Sequence, residues 1–186
     1  MKLLIKNMVC NRCILVVKSE LKQLGFDVQE VKLGEVQLLN ALNQKEKQLI
    51  SNRLESFGFA LLDDKNSQLV EKIKTLLIDL VQNKNNEIHL KLSEYLVYHL
   101  NKDYSKMSNL FSEIEGISIE KYFINLKVEK VKELIVYDEL SLSEIADVLN
   151  YSSVAHLSNQ FKKVTGFSPS YYRNRKTNQR IQLDQL

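Results

Sequence analysis

Hydrophobic and polar residues change their rhythm along this chain. Through residue 65, short apolar runs alternate with amphipathic stretches. LLIKNM reads as a strand, and CILVVKSELKQLGF places Leu15, Lys18, Leu21, Lys22 and Leu24 at helical spacing before stopping at Gly25. VQEVKLGEVQLL reads as two short strands turned at Gly34, NQKEKQLISNRLESFG as a second amphipathic helix ended by Gly58, and FALLDD as a last strand. The order βαββαβ closes a small antiparallel sheet with both helices on one face, a ferredoxin-like domain over residues 1–65.

From Ser67 to Lys84 the pattern becomes one striped helix, with Leu69, Ile73, Leu76 and Leu80 spaced four, three and four apart. That is a short heptad seam, and it makes the 69–81 helix a candidate homodimer contact. QNKNNE then reads as a polar linker, so that residues 66–86 form a connecting helix and linker. Everything beyond is helical: an all-α domain over 87–178 and a tail over 179–186, making the chain α+β as a whole.

The helical part contains a repeat. A shift of fifty residues lays Leu92-Ser93-Glu94 on Leu142-Ser143-Glu144, Ser108-Asn109 on Ser158-Asn159, Phe111 on Phe161, Gly116 on Gly166 and Tyr122 on Tyr172. Two copies of one supersecondary unit account for this. In each, a short helix (92–100, 142–149) is followed by a turn and a second helix (105–114, 153–164) that ends at the glycine. Ser141 and Glu144 have capping-box spacing, and Ser168-Pro169 starts a final helix. Ile119 to Tyr137 forms a long helix between the copies.

Helix, short turn, helix is the arrangement whose second helix can lie in a DNA major groove. Apolar residues of each second helix (Met107, Leu110 and Phe111; Leu157 and Phe161) fall on one side. Ser105, Lys106, Ser108 and Asn109, and Ala155, His156, Ser158 and Asn159, are left facing outward: small or hydrogen-bonding side chains suited to base edges.

Charge sharpens this picture. The net charge of +3 is mild, but residues 101–150 hold 6 Lys+Arg against 10 Asp+Glu, and 151–186 hold 6 against 1. Lys162, Lys163, Arg173, Arg175 and Lys176 supply phosphate-binding charge around the second copy.

Residues 90–176 resemble the DNA-binding domain of the AraC family of bacterial transcriptional regulators. LSLSEIADVLNYSSVAHLSNQFKKVTGFSPSYYR follows the family pattern over its whole length. LSEYLVYHLNKDYSKMSNLFSEIEGISIEKYF departs from it, with Asn101 in place of the usual turn glycine and Asn109 in place of an arginine common in the recognition helix. The resemblance implies that Ser105, Lys106, Ser108 and Asn109 enter one major groove of double-stranded DNA and Val154, Ala155, His156, Ser158 and Asn159 the next. RNA polymerase is a further candidate partner of such a regulator.

MVCNRC holds both cysteines of the chain, Cys10 and Cys13, at the junction of the first strand and first helix. The positive end of a helix lowers a thiol pKa and favours the metal-binding thiolate. Two thiolates suit a soft ion such as Cu(I), or half of a Zn(II) or mercury site. Residues 1–64 resemble the heavy-metal-associated domain of copper chaperones and metal-pumping ATPases, in which Met8, Cys10 and Cys13 match the metal loop; Asn7 stands in place of the glycine usual before that methionine. Three readings stay open for the pair: metal capture, a metal loop reused for partner contact, and a thiol redox switch.

No acid pair, serine triad or glycine-rich phosphate loop points to an enzyme. No apolar run approaches membrane-spanning length and no cleavable signal opens the chain, which places it in the cytoplasm. The reading is a DNA-binding regulator with a Cys-x-x-Cys sensor or docking domain. Its alternative is a metal-trafficking or adaptor protein whose helical half binds protein.

Overall fold

The computed structural model describes residues 1–62, 65–83, 91–175 and 183–185. The chain divides into two compact units, Met1–Thr75 and Leu76–Leu186.

In the first unit the elements run β1 (Lys2–Lys6), α1 (Asn11–Gln23), β2 (Val28–Lys32), β3 (Glu35–Leu38), α2 (Gln44–Glu55) and β4 (Ala60–Leu61). The sheet has the order β2-β3-β1-β4 with every pairing antiparallel; Leu3 lies opposite Val36 and Ile5 opposite Leu61. Alternation along β1 sends Leu3 and Ile5 into one core with Val17 and Leu21 of α1 and Ile50 and Leu54 of α2. Each such side chain contributes about 1.5–3 kcal/mol by leaving water.

Leu15 is a correction to the helical stripe read from the sequence: it is 68% exposed, whereas Val17 and Leu21 are fully buried. The buried face of α1 runs through Val17, Glu20 and Leu21, and Glu20 is held by the Arg53 Nε, which donates to it at 2.6 Å. Charge pairing between α1 and α2 thereby occupies a position that a hydrophobic count assigns to solvent.

Gly34 is required twice over. Its φ is +73°, and a Cβ there would lie 2.9 Å from the Thr75 Oγ1 of α3 (Lys65–Gln82). β4 is a two-residue edge strand, shorter than FALLDD, and Asp63 and Asp64 lie outside the described residues.

The division between the two units falls within helix α3, between Thr75 and Leu76. Ile73 and Leu80 are fully buried within the single chain, so half of the heptad seam is already consumed. Most of the QNKNNE linker and the tail from residue 176 to 182 lie outside the described residues.

The second unit contains α4 (Leu92–Leu100), α5 (Tyr104–Glu115), α6 (Ile119–Tyr137), α7 (Leu142–Val148), α8 (Val154–Thr165) and α9 (Pro169–Arg175), with a short 3-10 turn at Leu183–Gln185. The fifty-residue repeat survives as packing. Phe111 meets Tyr122 edge-on at 5.5 Å, and Phe161 meets Tyr172 edge-on at 5.6 Å. Gly116 and Gly166 both end their helices in the left-handed region, at φ 71° and 82°. Ser141 and Glu144 close a full capping box: Glu144 N–H donates to Ser141 Oγ at 3.2 Å, and Ser141 N–H donates to the Glu144 carboxylate at 2.7 Å. Ser168 Oγ accepts from Tyr171 N–H at the start of α9.

Candidate nucleic-acid interface and thiol loop

Each helix-turn-helix pair is set by a left-handed asparagine. Asn101 ends α4 at φ 50°, and Asn150 sits at φ 52° between α7 and α8. Asparagine adopts this region more readily than other side chains, so Asn101 fills the role of the expected turn glycine.

The core side of α5 carries Met107 and Phe111, and that of α8 Leu157 and Phe161, all fully buried. On the other side Ser105, Lys106 and Asn109 are exposed and Ser108 is half-buried. In α8, Ala155, His156 and Asn159 are exposed, with Val154 and Ser158 half-buried. The residues picked from the sequence therefore collect on two corresponding helix faces. Lys162 and Lys163 are exposed in the last turn of α8.

Arg173 behaves differently from the phosphate ligand it resembles in sequence. Its Nη2 donates to the Leu140 carbonyl at 2.6 Å, and its Nε lies 3.5 Å from the Asp138 carboxylate. The guanidinium thus braces the turn between α6 and α7. Lys176 lies outside the described residues.

A support for α8 carries no signature in sequence. Tyr151, just ahead of the helix, donates its hydroxyl to Gln160 Oε1 at 2.7 Å, and the His156 ring stands edge-on to it at 5.3 Å. His156 Nδ1 lies 3.0 Å from Ser152 Oγ, and its backbone N–H donates to the capping Ser153 Oγ at 3.0 Å. Beneath Tyr151, the ammonium of Lys127 on α6 sits 3.7 Å from the ring centroid. A lone tyrosine in a turn and a lysine within a long helix form no pattern that periodicity detects.

Lys127 is buried, and desolvation pulls its ammonium down to about 8. A lysine lowered on folding binds fewer protons in the folded than in the unfolded chain between that value and its ordinary range. The cost is therefore fully present below about pH 8 and fades as pH rises beyond it. Lys127→Met should stabilise the second unit by about 1–3 kcal/mol at pH 7. The gain should shrink toward pH 10, as followed by urea unfolding of both proteins across that range.

At the other end of the chain, Cys10 is the exposed N-cap of α1 and Cys13 is half-buried in its first turn, with the two sulfurs 3.5 Å apart. Burial pushes the Cys13 thiol up, outweighing the backbone hydrogen bonds of Val9 and Cys10 that favour the thiolate. This corrects the expectation of a lowered thiol pKa there. Met8 is 1% exposed and belongs to the core, so the sulfur expected beside the cysteines is structural. Asn7, where the resemblance implied a glycine, takes the left-handed conformation, φ 71°, and its Nδ2 donates to the Gly58 carbonyl at 2.9 Å.

Among the described residues no group of three or more His, Cys, Asp or Glu side chains is placed to hold a metal. Zn(II) takes four ligands, and no third His, Cys, Asp or Glu side chain joins the two cysteines among the described residues.

Residues 96–175 match the family of helix-turn-helix domains. The chain is 25% identical over 146 residues to the uncharacterized HTH-type transcriptional regulator YobQ of Bacillus subtilis, covering 78% of this chain and 52% of YobQ. It is 32% identical over 78 residues to the raffinose operon transcriptional regulatory protein RafR of Pediococcus pentosaceus, covering 42% of this chain and 28% of RafR. The chain thus spans about half the length of YobQ and less of RafR. Among solved structures, it resembles the C-terminal domain of AraT, a response regulator from Geobacillus stearothermophilus, at 27% identity and a TM-score of 0.52 over 60% of this chain and 88% of that one. These relatives are regulators rather than enzymes, and no described helix is long and apolar enough to cross a membrane. The second unit of this chain thus carries a helix-turn-helix domain and is similar to the C-terminal domain of a response regulator.

Proposed function

We propose that the chain is a sequence-specific DNA-binding transcriptional regulator, with α5 and α8 turned toward major grooves and Lys106, Lys162 and Lys163 toward phosphates. One observation carries this: two corresponding helices bury their apolar sides while their other sides present short or hydrogen-bonding groups, and the last turn of α8 presents two exposed lysines. The likeness to regulators supports it. Such a protein works in the cytoplasm, with RNA polymerase as a further partner. A homodimer through α3 has only Leu69 and Leu76 of its seam still partly exposed to build on.

Fluorescence anisotropy of the full chain with labelled duplexes tests the proposal. Binding should weaken steeply with salt, because each neutralised phosphate releases condensed counterions. Absence of salt-dependent retention on any duplex would favour the adaptor reading, in which the helical half binds protein.

For the N-terminal unit we infer a ferredoxin-like, heavy-metal-associated type of domain whose Cys10 and Cys13 capture Cu(I). The β2-β3-β1-β4 order and the thiol pair at a strand-to-helix junction support this. Capture regulates DNA binding only where the ion prefers one of two DNA-binding states over the other. Cys10→Ser with Cys13→Ser should abolish Cu(I) uptake, leave the fold intact and erase any metal-dependent difference in DNA affinity. Anaerobic titration followed by binding isotherms of both forms checks each part. Uptake without a change in DNA affinity would reduce the domain to storage or docking.

A further inference from the structure

The two helix-turn-helix units do not present the same charge to a nucleic acid. Under the fifty-residue shift, Asp103 falls on Ser153, Ser112 on Lys162 and Glu113 on Lys163. Asp103 and Ser153 perform one structural task. Asp103 accepts from Lys106 N–H at 3.0 Å and Ser153 from His156 N–H at 3.0 Å, each capping its helix. Only Asp103 adds an exposed carboxylate, at the end of the helix whose residues approach base edges first.

A second carboxylate stands by the same end. Tyr104, the first residue of α5, donates its hydroxyl to the exposed Glu120, and this bond holds Glu120 below the usual carboxylate range. Toward the far end, Glu113 is exposed where α8 exposes Lys163. Taken whole, α5 carries one lysine against two glutamates, and α8 carries two lysines and no acid.

DNA phosphates line both rims of a major groove, so fixed carboxylates at the entering end hold a helix away from the base edges. Ser108 and Asn109 of α5 are the same residue types as Ser158 and Asn159 of α8. What separates the two helices is therefore access to the bases and not the chemistry of these shared positions. We propose that α8 is the sequence-reading helix of the chain, while α5 touches neighbouring DNA through Lys106 without selecting bases. One chain then specifies a single major-groove segment.

This rests on the DNA-binding reading above, and the test separates the two. The full chain is used to select duplexes from a random pool, and the selected site is scanned base pair by base pair by anisotropy. Affinity losses should be confined to one segment of about five base pairs, the span offered to one helix in a groove. His156→Ala and Asn159→Ala should change the selected sequence, and Ser105→Ala and Asn109→Ala should leave it unchanged.

Asp103→Asn keeps the cap and removes the charge, so it should tighten binding to every duplex by about threefold at low salt. Lys163→Glu, which gives α8 the charge of α5, should weaken binding by about tenfold or more. Two segments about ten base pairs apart with equal losses, or a changed preference in Asn109→Ala, would overturn the inference and leave DNA binding standing. No retention of any duplex would overturn the DNA-binding reading, and this inference with it.

Discussion

Phe161→Ala is expected to destabilise the second unit by about 3–5 kcal/mol, the usual cost of emptying a buried aromatic site. The ring is fully buried, packs edge-on to Tyr172 at 5.6 Å, and shares its core with Val128, Val131, Ile145 and Leu157. Its loss removes transfer free energy, leaves a cavity and deprives Tyr172 of an aromatic partner worth about 0.5–1.5 kcal/mol. Domains are stable by about 5–15 kcal/mol, so this one change consumes a large share of the total. DNA affinity should fall with it, because α8 presents Ala155, His156 and Asn159 only while its inner side is held. Leu15→Ala, at a side chain 68% exposed, should change stability by less than about 0.5 kcal/mol. Urea unfolding of the three proteins makes the comparison. A change below about 1 kcal/mol in Phe161→Ala would contradict the burial described for that ring.

Lys162→Glu combined with Lys163→Glu should lower affinity for all duplexes by about a hundredfold or more at moderate salt, irrespective of sequence. Both lysines are exposed in the last turn of α8, and no acid lies on that helix to offset them. Each phosphate that is no longer neutralised should reduce the slope of log affinity against log salt by about 0.9. His156→Ala and Asn159→Ala act on base edges instead, so their effect should differ between sequences, by about 1–3 kcal/mol wherever a well-formed hydrogen-bonded pairing with a base is removed. Isotherms over a small library of sites and three salt concentrations distinguish the two patterns. Equal behaviour of the two mutant classes would remove this division of labour.

Much of this architecture is local in origin, and that is why it could be read from residue order. Helix ends follow from groups adjacent in the chain: the Ser141–Glu144 box, the caps Ser118, Ser153 and Ser168, and the left-handed Gly116 and Gly166. The repeat follows because Phe111 and Phe161, and Tyr122 and Tyr172, keep both spacing and type. The buried face of α5 and of α8 follows from 3.6-residue periodicity, which places Met107 with Phe111 and Leu157 with Phe161 on the same side.

Tertiary structure decided whatever depends on groups far apart in sequence or on competition between forces. Arg173 looks like another basic residue for phosphate until the turn from Asp138 to Leu140, more than thirty residues earlier, claims its guanidinium. Cys13 sits in the first turn of α1, yet desolvation within the first unit outweighs the backbone hydrogen bonds of Val9 and Cys10 that favour a thiolate, and raises its pKa. Met8 and half of the 69–80 seam carry side chains suited to binding, but the core takes them first, since burying an apolar group needs no ligand. Lys127 meets the face of Tyr151 only because α6 passes beneath the turn that launches α8. Periodicity along one helix carries no information about such a crossing.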